Sequence, residues 1–266
     1  MYSFVDNTID LKKTFECGQC FRFEQVGENT FEGVAFSKLL RVSQNKNVIT
    51  LENADENDFL NIWKSFFDLD NDYEKITAQL TQNDKVMKKA ADFGKGIHIL
   101  KQELFETIIS FIISQNNNIP RIKKIINLLC ENFGTKIDEN YYAFPKLEQL
   151  KGVTVEEISV IRAGFRAKYI VDAVEKISNN TVKLDNIQKM SYEEAKAELM
   201  NIKGIGNKVA DCVLLFGASK LGAFPKDVWI KRIMKSLYHD ENAVIEGEYA
   251  GIGQQYLFYF ARETGI

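Results

Sequence analysis

The sequence has little of what would place it in a membrane or outside the cell. No run of eighteen apolar residues occurs among its 266, and its first residues form no apolar signal core, so an intracellular protein that meets no membrane is expected. Prolines number three and low-complexity runs are lacking, which excludes a long extended linker. Four cysteines, at 17, 20, 130 and 212, are too few and too scattered for a secreted disulfide scaffold. The two histidines, 98 and 239, are remote in sequence from Cys17-Gly-Gln-Cys20. That C-x-x-C pair has no second C-x-x-C and no βαβ context, so neither zinc nor thioredoxin-like chemistry is expected of it. A net charge of −3 excludes a general nucleic-acid coat protein.

Charge is nevertheless unevenly placed. Residues 203–235 hold seven Lys or Arg against two Asp, a net +5, whereas 51–75 hold eight acids against two lysines, a net −6. Such polarity suits a protein that turns one face to phosphates. With 45% hydrophobic residues there is material for a core, and the length suits one or two domains. Residues 1–55 have strand character: Phe21 and Phe23 alternate with polar neighbours, and 31–44 and 47–53 are rich in β-branched or aromatic residues. From Asp55 the period changes, and Phe59, Leu60, Trp63, Phe66 and Phe67 mark one face of an amphipathic helix. Further helices are expected near 72–82 and 84–92, from Leu104 to Ser114, from Pro120 to about Phe133, and over 154–162 and 165–178. A capping box at Ser191–Glu194 starts another, and the last should run from about Glu246 to Arg262. The fold class is thus α+β: an N-terminal antiparallel sheet domain with flanking helices over 1–96, followed by a mostly helical domain over 97–266.

Residues 201–234, NIKGIGNKVADCVLLFGASKLGAFPKDVWIKRIM, carry the chemistry. They read as a helix end, a turn on Gly204 and Gly206, a second helix from about Asn207, and a third capped by Asp227, so a helix-hairpin-helix spans about 192–217. Glycine accepts positive φ and has no Cβ, so the N–H groups of Gly204, Ile205 and Gly206 can approach a phosphate at the positive helix end. A plain glycine connector fits the same letters. Lys208 sharpens the reading, because the first turn of a helix disfavours a cation. A lysine there contacts an anion or works as an amine of depressed pKa. Cys212 lies one turn on along the same face, and Asp227 follows across a short loop. An amine and a carboxylate beside a phosphate grip suggest attack on a sugar of nucleic acid.

The run G-I-G-x-K-V-A-D-C, with F-P-x-D-V after a loop, resembles the helix-hairpin-helix motif with Gly/Pro-rich loop and Asp of base-excision DNA glycosylases. Residues 18–23, 99–122, 163–170 and 249–258 are similar to the 8-oxoguanine DNA glycosylases among them. The resemblance implies a bifunctional glycosylase and lyase in which Lys208 attacks the anomeric carbon of deoxyribose. The base departs, and the Schiff base permits β-elimination of the 3′ phosphate. An ordinary lysine titrates near ~10.4, so reactivity at neutrality asks for a drop of about 3, costing about 4 kcal/mol. Burial and the helix end push that way, whereas an ionised Asp227 pushes back.

The same resemblance assigns Asp227 to the charge developing on the sugar, a role compatible with its reading as a helix cap. It makes Phe258 and Cys212 the faces that sandwich an everted base and Gln254 the reader of its Watson–Crick edge. The carbonyl of Gly18 would accept from N7, which bears hydrogen only in the oxidised base. Without this context, Phe258 reads as core and Gly18 as a turn glycine. Asn116 would fill the gap in the stack, Phe165 would wedge the opposite strand, and Arg121 and Arg166 would read the orphaned cytosine. Asn116 alone could instead cap the next helix, and Arg166 could bind phosphate. Lys203 stands where a proline often precedes the hairpin, Trp229 where histidine is common, and Phe165 where tyrosine is.

Because Cys212 is the last cysteine, no iron–sulfur cluster is expected. Nor is a cofactor or catalytic metal implied, although a structural cation on hairpin carbonyls is compatible. The implied partner is double-stranded DNA containing 8-oxoguanine, bound by a monomer in the nucleoid of a bacterium or archaeon, or otherwise in the nucleus.

Overall fold

The computed structural model describes residues 1–265. Strands β1 (Tyr2–Val5), β2 (Phe23–Gly27), β3 (Thr30–Ala35), β4 (Lys38–Asn45) and β5 (Val48–Leu51) form one antiparallel sheet in the order β1-β5-β4-β3-β2. Phe31 faces Val42, and Val42 faces Leu51, so one row of side chains crosses three strands into the core. The segment 31–44, which reads as one strand-like stretch, is a hairpin. Phe36 and Ser37 take φ of 52° and 58° and close a two-residue turn between the paired Ala35 and Lys38. Neither is the glycine or asparagine that marks such a turn in sequence. Helix α1 (Leu11–Glu16), absent from the strand-only reading of 1–55, interrupts the sheet and is capped by Asp10, whose Oδ1 accepts from Lys13 N at 3.0 Å.

The amphipathic helix expected from Asp55 comprises α2 (Glu56–Asp58), a π-helical turn over Phe59–Trp63, and α3 (Lys64–Phe66). Its Phe59, Trp63 and Phe66 join Phe15, Phe23 and Phe31 to fill the sheet's core. Helices α4 (Tyr73–Thr81) and α5 (Lys85–Gly94) follow, each started by an aspartate cap. Next come α6 (Leu104–Ser114), α7 (Ile119–Phe133), α8 (Leu147–Leu150), α9 (Val155–Ile158), α10 (Ala167–Ser178), α11 (Tyr192–Met200), α12 (Asn207–Gly217), α13 (Val228–Tyr238) and α14 (Ala250–Thr264). The last begins later than the expected Glu246. Gly247 takes φ of +116°, and its carbonyl accepts from Ala250 N, which closes a turn before the helix can start.

Helix α6 is apolar nearly all round and buried, as a central element must be. It packs on α12, α7 and α10, while α14 closes over α5. The apolar cores of sheet and helices meet at 97–100, where Ile97 and Ile99 enter the helical core and Leu100 enters that of the sheet. Among the described residues no helix is long and apolar enough to cross a membrane.

The joint between sheet and helices carries a buried ion pair. Arg22 Nη1 stands 3.9 Å from Glu106 Oε2 on α6, and Arg22 Nη2 donates to the carbonyl of Tyr142 at 2.5 Å. Burial pushes the Glu106 carboxyl up to about 7, with Arg22 opposing. The folded protein therefore keeps this proton between an ordinary value of 4.5 and about 7, where the unfolded chain has lost it. The group's contribution to stability is full below 4.5 and lost as pH rises through about 7, by roughly 3 kcal/mol. Denaturant melts over that range should show the decline, and Glu106→Gln should flatten it; an equal decline in the variant would show that other groups cause it.

Candidate active site and nucleic-acid interface

The helical hairpin is clamped from within. Ser191 and Glu194 form the capping box that starts α11, with Ser191 N donating to Glu194 Oε2 at 2.9 Å. The buried carboxylate of Asp211 on α12 accepts from Tyr192 Oη at 2.6 Å and pairs with Lys196 Nζ at 2.9 Å, both on α11. Gly204 turns the chain at φ of +86°, and a Cβ there would lie 2.5 Å from the ring of Tyr169. Gly206 departs from the expectation of positive φ: it adopts −102°, which any residue can reach, and serves as the N-cap of α12. A Cβ at Gly206 would meet nothing within 4 Å, so its surroundings are open to a ligand. Ile205 also departs from expectation. Its side chain is buried and its N–H donates to the carbonyl of Ile202 at 3.0 Å, which removes it from a phosphate grip. Gly204, Gly206 and the first turn of α12, which no side chain caps, are left to meet an anion. Exposed Lys203 stands beside them, its N–H held by Asp172 at 2.7 Å.

Lys208 sits in that first turn and points inward, its Nζ 5.5 Å from the centre of the Phe111 ring on α6. Burial lowers its pKa, but attraction to Cys212 and Asp227 and a hydrogen bond to Cys212 outweigh it, and the net direction is upward. Burial also pushes the Cys212 thiol up, so the charge that holds the ammonium at neutral pH is that of Asp227. Asp227 caps α13, its Oδ1 accepting from Ile230 N at 2.8 Å, which leaves Oδ2 for a second partner. The amine and the carboxylate separated by nineteen residues are thus brought within electrostatic reach.

Gly18 and Phe258 lie close together although they come from opposite ends of the chain. Gly18 has φ of +86°, and a Cβ there would sit 3.6 Å from the Phe258 ring. Gln254 lies one turn before Phe258 on α14, is buried, and accepts on Oε1 from Gln255 Nε2 at 2.8 Å. The Gly18 turn is held by its neighbour Gln19, a wholly buried amide that composition alone does not single out. Gln19 Nε2 donates to the carbonyls of Thr14 at 2.9 Å and His98 at 2.7 Å, and Oε1 accepts from Leu100 N at 2.8 Å. The Phe111 ring on α6 lies under Lys208 and meets Phe21, three residues after Gly18, edge-on at 5.6 Å.

Asn116, Arg121, Phe165 and Arg166 form a second group. Asn116 takes φ of 47°, and Asn118, not Asn116, caps α7 through Arg121 N at 3.0 Å. Arg166 is 3% exposed, and its guanidinium donates to three backbone carbonyls. Nη2 reaches Asn116 O at 2.9 Å, Nε reaches Gln115 O at 2.8 Å and Nη1 reaches Ala163 O at 3.2 Å. In the DNA-free protein it therefore braces the Asn116 loop. Burial and then the charge of Arg121 lower its pKa, which places the two arginines within electrostatic range. Arg121 is exposed, and Phe165 is 48% exposed with the Arg166 guanidinium 4.5 Å from its ring centre. Tyr169, which abuts Gly204, also meets Phe165 edge-on at 5.9 Å, so one ring joins this group to the hairpin.

Residues 1–108 match the family described as the N-terminal domain of 8-oxoguanine DNA glycosylase, and 109–246 match the HhH-GPD superfamily of base-excision DNA repair proteins. The chain is 42% identical over 171 residues to an N-glycosylase/DNA lyase of Saccharomyces cerevisiae, a match covering 59% of this chain and 45% of that protein. It is 31% identical over 233 residues to a probable N-glycosylase/DNA lyase of Methanothermobacter thermautotrophicus, covering 75% and 74%. A Clostridium acetobutylicum 8-oxoguanine glycosylase/lyase, solved with duplex DNA bearing cytosine opposite 8-oxoguanine, superposes with a TM-score of 0.93. It is 38% identical, and the match covers 100% of this chain and 99% of that one.

The C-x-x-C pair stands apart from this chemistry. Cys17 and Cys20 are free and buried, and burial pushes their thiols up to about 12 and about 11. A redox or metal-binding cysteine needs the opposite shift. Iodoacetamide at about pH 8 should label neither thiol in the native protein and both after denaturation. Fast labelling of either in the native state would show a reactive thiolate that this packing does not provide.

Proposed function

The chain belongs to the HhH-GPD base-excision superfamily and, within it, to the 8-oxoguanine DNA glycosylases; from that membership we propose that it excises 8-oxoguanine opposite cytosine and nicks the strand at the abasic site. The observation that carries this reading is the inward-pointing Lys208, coupled to Asp227 at the uncapped start of α12. Such an arrangement has an amine for C1′, a carboxylate for the cation that forms there, and helix-end amides for the flanking phosphate. The enzyme works where chromosomal DNA is kept, in a nucleoid or a nucleus.

The everted nucleotide enters between Cys212 and Phe258 at an unstacking cost of a few kcal/mol. Gln254 meets its Watson–Crick edge, and the Gly18 carbonyl accepts from N7–H. Guanine has a lone pair at N7 and would leave that carbonyl unpaired and repelled, a penalty of about 1–3 kcal/mol. With the nucleotide seated, water is excluded and burial presses harder on the Lys208 ammonium. The neutral amine then attacks C1′, the C1′–N9 bond breaks with its electron pair leaving on the base, and Asp227 stabilises the sugar cation. The attached nitrogen loses a proton and the C1′–O4′ bond opens, its electron pair going to O4′, which is protonated, and a Schiff base forms. Loss of a C2′ proton then expels the 3′ phosphate and cleaves the C3′–O bond. On the far side Arg121 meets the widowed cytosine, Asn116 fills the gap, and Phe165 presses on the opposite strand. Arg166 orders the loop that holds Asn116 and leads into α7, where Arg121 sits.

Borohydride should trap a covalent adduct between the protein and duplex DNA containing 8-oxoguanine, and Lys208→Gln should abolish it. The variant should also lose strand nicking by more than about a thousandfold, as removal of a nucleophile does in other enzymes. Retained nicking in that variant would rule out the amine mechanism. Because the Lys208 pKa is raised in the free protein, single-turnover excision should climb with pH, by about tenfold per unit below that pKa. Asp227→Asn removes an attraction that raises it, so the rising limb should move to lower pH while the maximal rate falls. An unmoved limb would mean that Asp227 does not set the charge of the amine.

A further inference from the structure

The ends of the chain meet at the base pocket through one side chain that the assigned roles do not use. Arg262 lies one turn after Phe258 on α14, with its guanidinium 6.0 Å from the Phe258 ring centre. Its Nη1 donates to the carbonyl of Glu16 at 2.8 Å. Glu16 ends α1, so this carbonyl has no partner within its own helix, and it stands two residues before Gly18. Glu263 orients the guanidinium, its Oε1 accepting from Nε at 3.0 Å and Nη2 at 2.8 Å.

The Gly18 turn is thus fastened on both sides. Downstream, the buried Gln19 amide ties it to His98 and Leu100. Upstream, the fastening comes from the helix that also carries Phe258 and Gln254. A glycine at φ of +86° has a wide backbone range, and its carbonyl direction is set by such neighbours.

We propose that Arg262 is a positioning residue for base discrimination: by bolting the Glu16 carbonyl to α14, it sets the distance and angle between the Gly18 carbonyl and the Phe258 ring. This rests on the functional reading above and extends it to a residue that touches no substrate. It assigns Arg262 to the step that tells the oxidised base from guanine, and not to the sugar chemistry.

The test compares excision of 8-oxoguanine with nicking of a pre-formed abasic site, which has no base for the pocket to read. Arg262→Met keeps the aliphatic length and removes the donors. It should lower kcat/KM for 8-oxoguanine by about tenfold, the effect of one charged hydrogen bond, and leave abasic nicking within about twofold. Arg262→Lys, which can still donate to Glu16, should recover most of the loss. Excision at the wild-type rate in Arg262→Met overturns the assignment, as does an equal fall in both reactions, which would mark a merely structural role. Wild-type protein that leaves 8-oxoguanine intact overturns the functional reading itself, and this extension with it.

Discussion

A single buried amide fastens the Gly18 turn to the seam between sheet and helices. Gln19 leaves the sheet region, enters the seam, and spends its donors and acceptor on the backbones of Thr14, His98 and Leu100. A buried amide without these partners would cost several kcal/mol, so the turn it belongs to is locked wherever they go. His98 is in turn fixed, stacked on Tyr73 at 3.8 Å and bonded through Nδ1 to the Phe67 carbonyl at 3.0 Å. Burial keeps that imidazole neutral. The seam is therefore a network of satisfied polar groups between apolar cores, and the Gly18 turn is tied to it.

The catalytic end is built differently, around a cation kept in apolar surroundings. Lys208 lies over Phe111, and that ring stacks on Phe216 at 5.4 Å and meets Phe21 edge-on. The same aromatic cluster supports the amine from α6 and meets Phe21 from the sheet side. Displacement of either would be felt by the other, because close-packed rings have no slack to absorb it. Lys208 and Phe21 thus rest on the one Phe111 ring.

Much of this was legible in the letters. Helix starts at Ser191 and Asp227 follow from the chemistry of capping, and each side chain does accept the expected N–H, whereas the cap of α7 is Asn118 and not Asn116. The hairpin and its lysine stood out because a cation in a first turn breaks a local rule, and broken rules mark function. What escaped had no local signal. Helix α1 is short and sits among strand-like neighbours, and Phe36-Ser37 lacks turn residues. The commitment of Ile205 to Ile202, the brace made by Arg166 and the bolt at Arg262 depend on contacts that only the folded backbone creates. Sequence shows which groups are available, whereas the fold decides which are already spoken for.

Arg166 illustrates the difference. While its guanidinium grips the carbonyls of Gln115, Asn116 and Ala163, it shows no face to a passing duplex. Its Nη2 steadies Asn116, whose backbone is left-handed. Arg166 is thus an internal strut, and one guanidinium sets the course of the chain between α6 and α7.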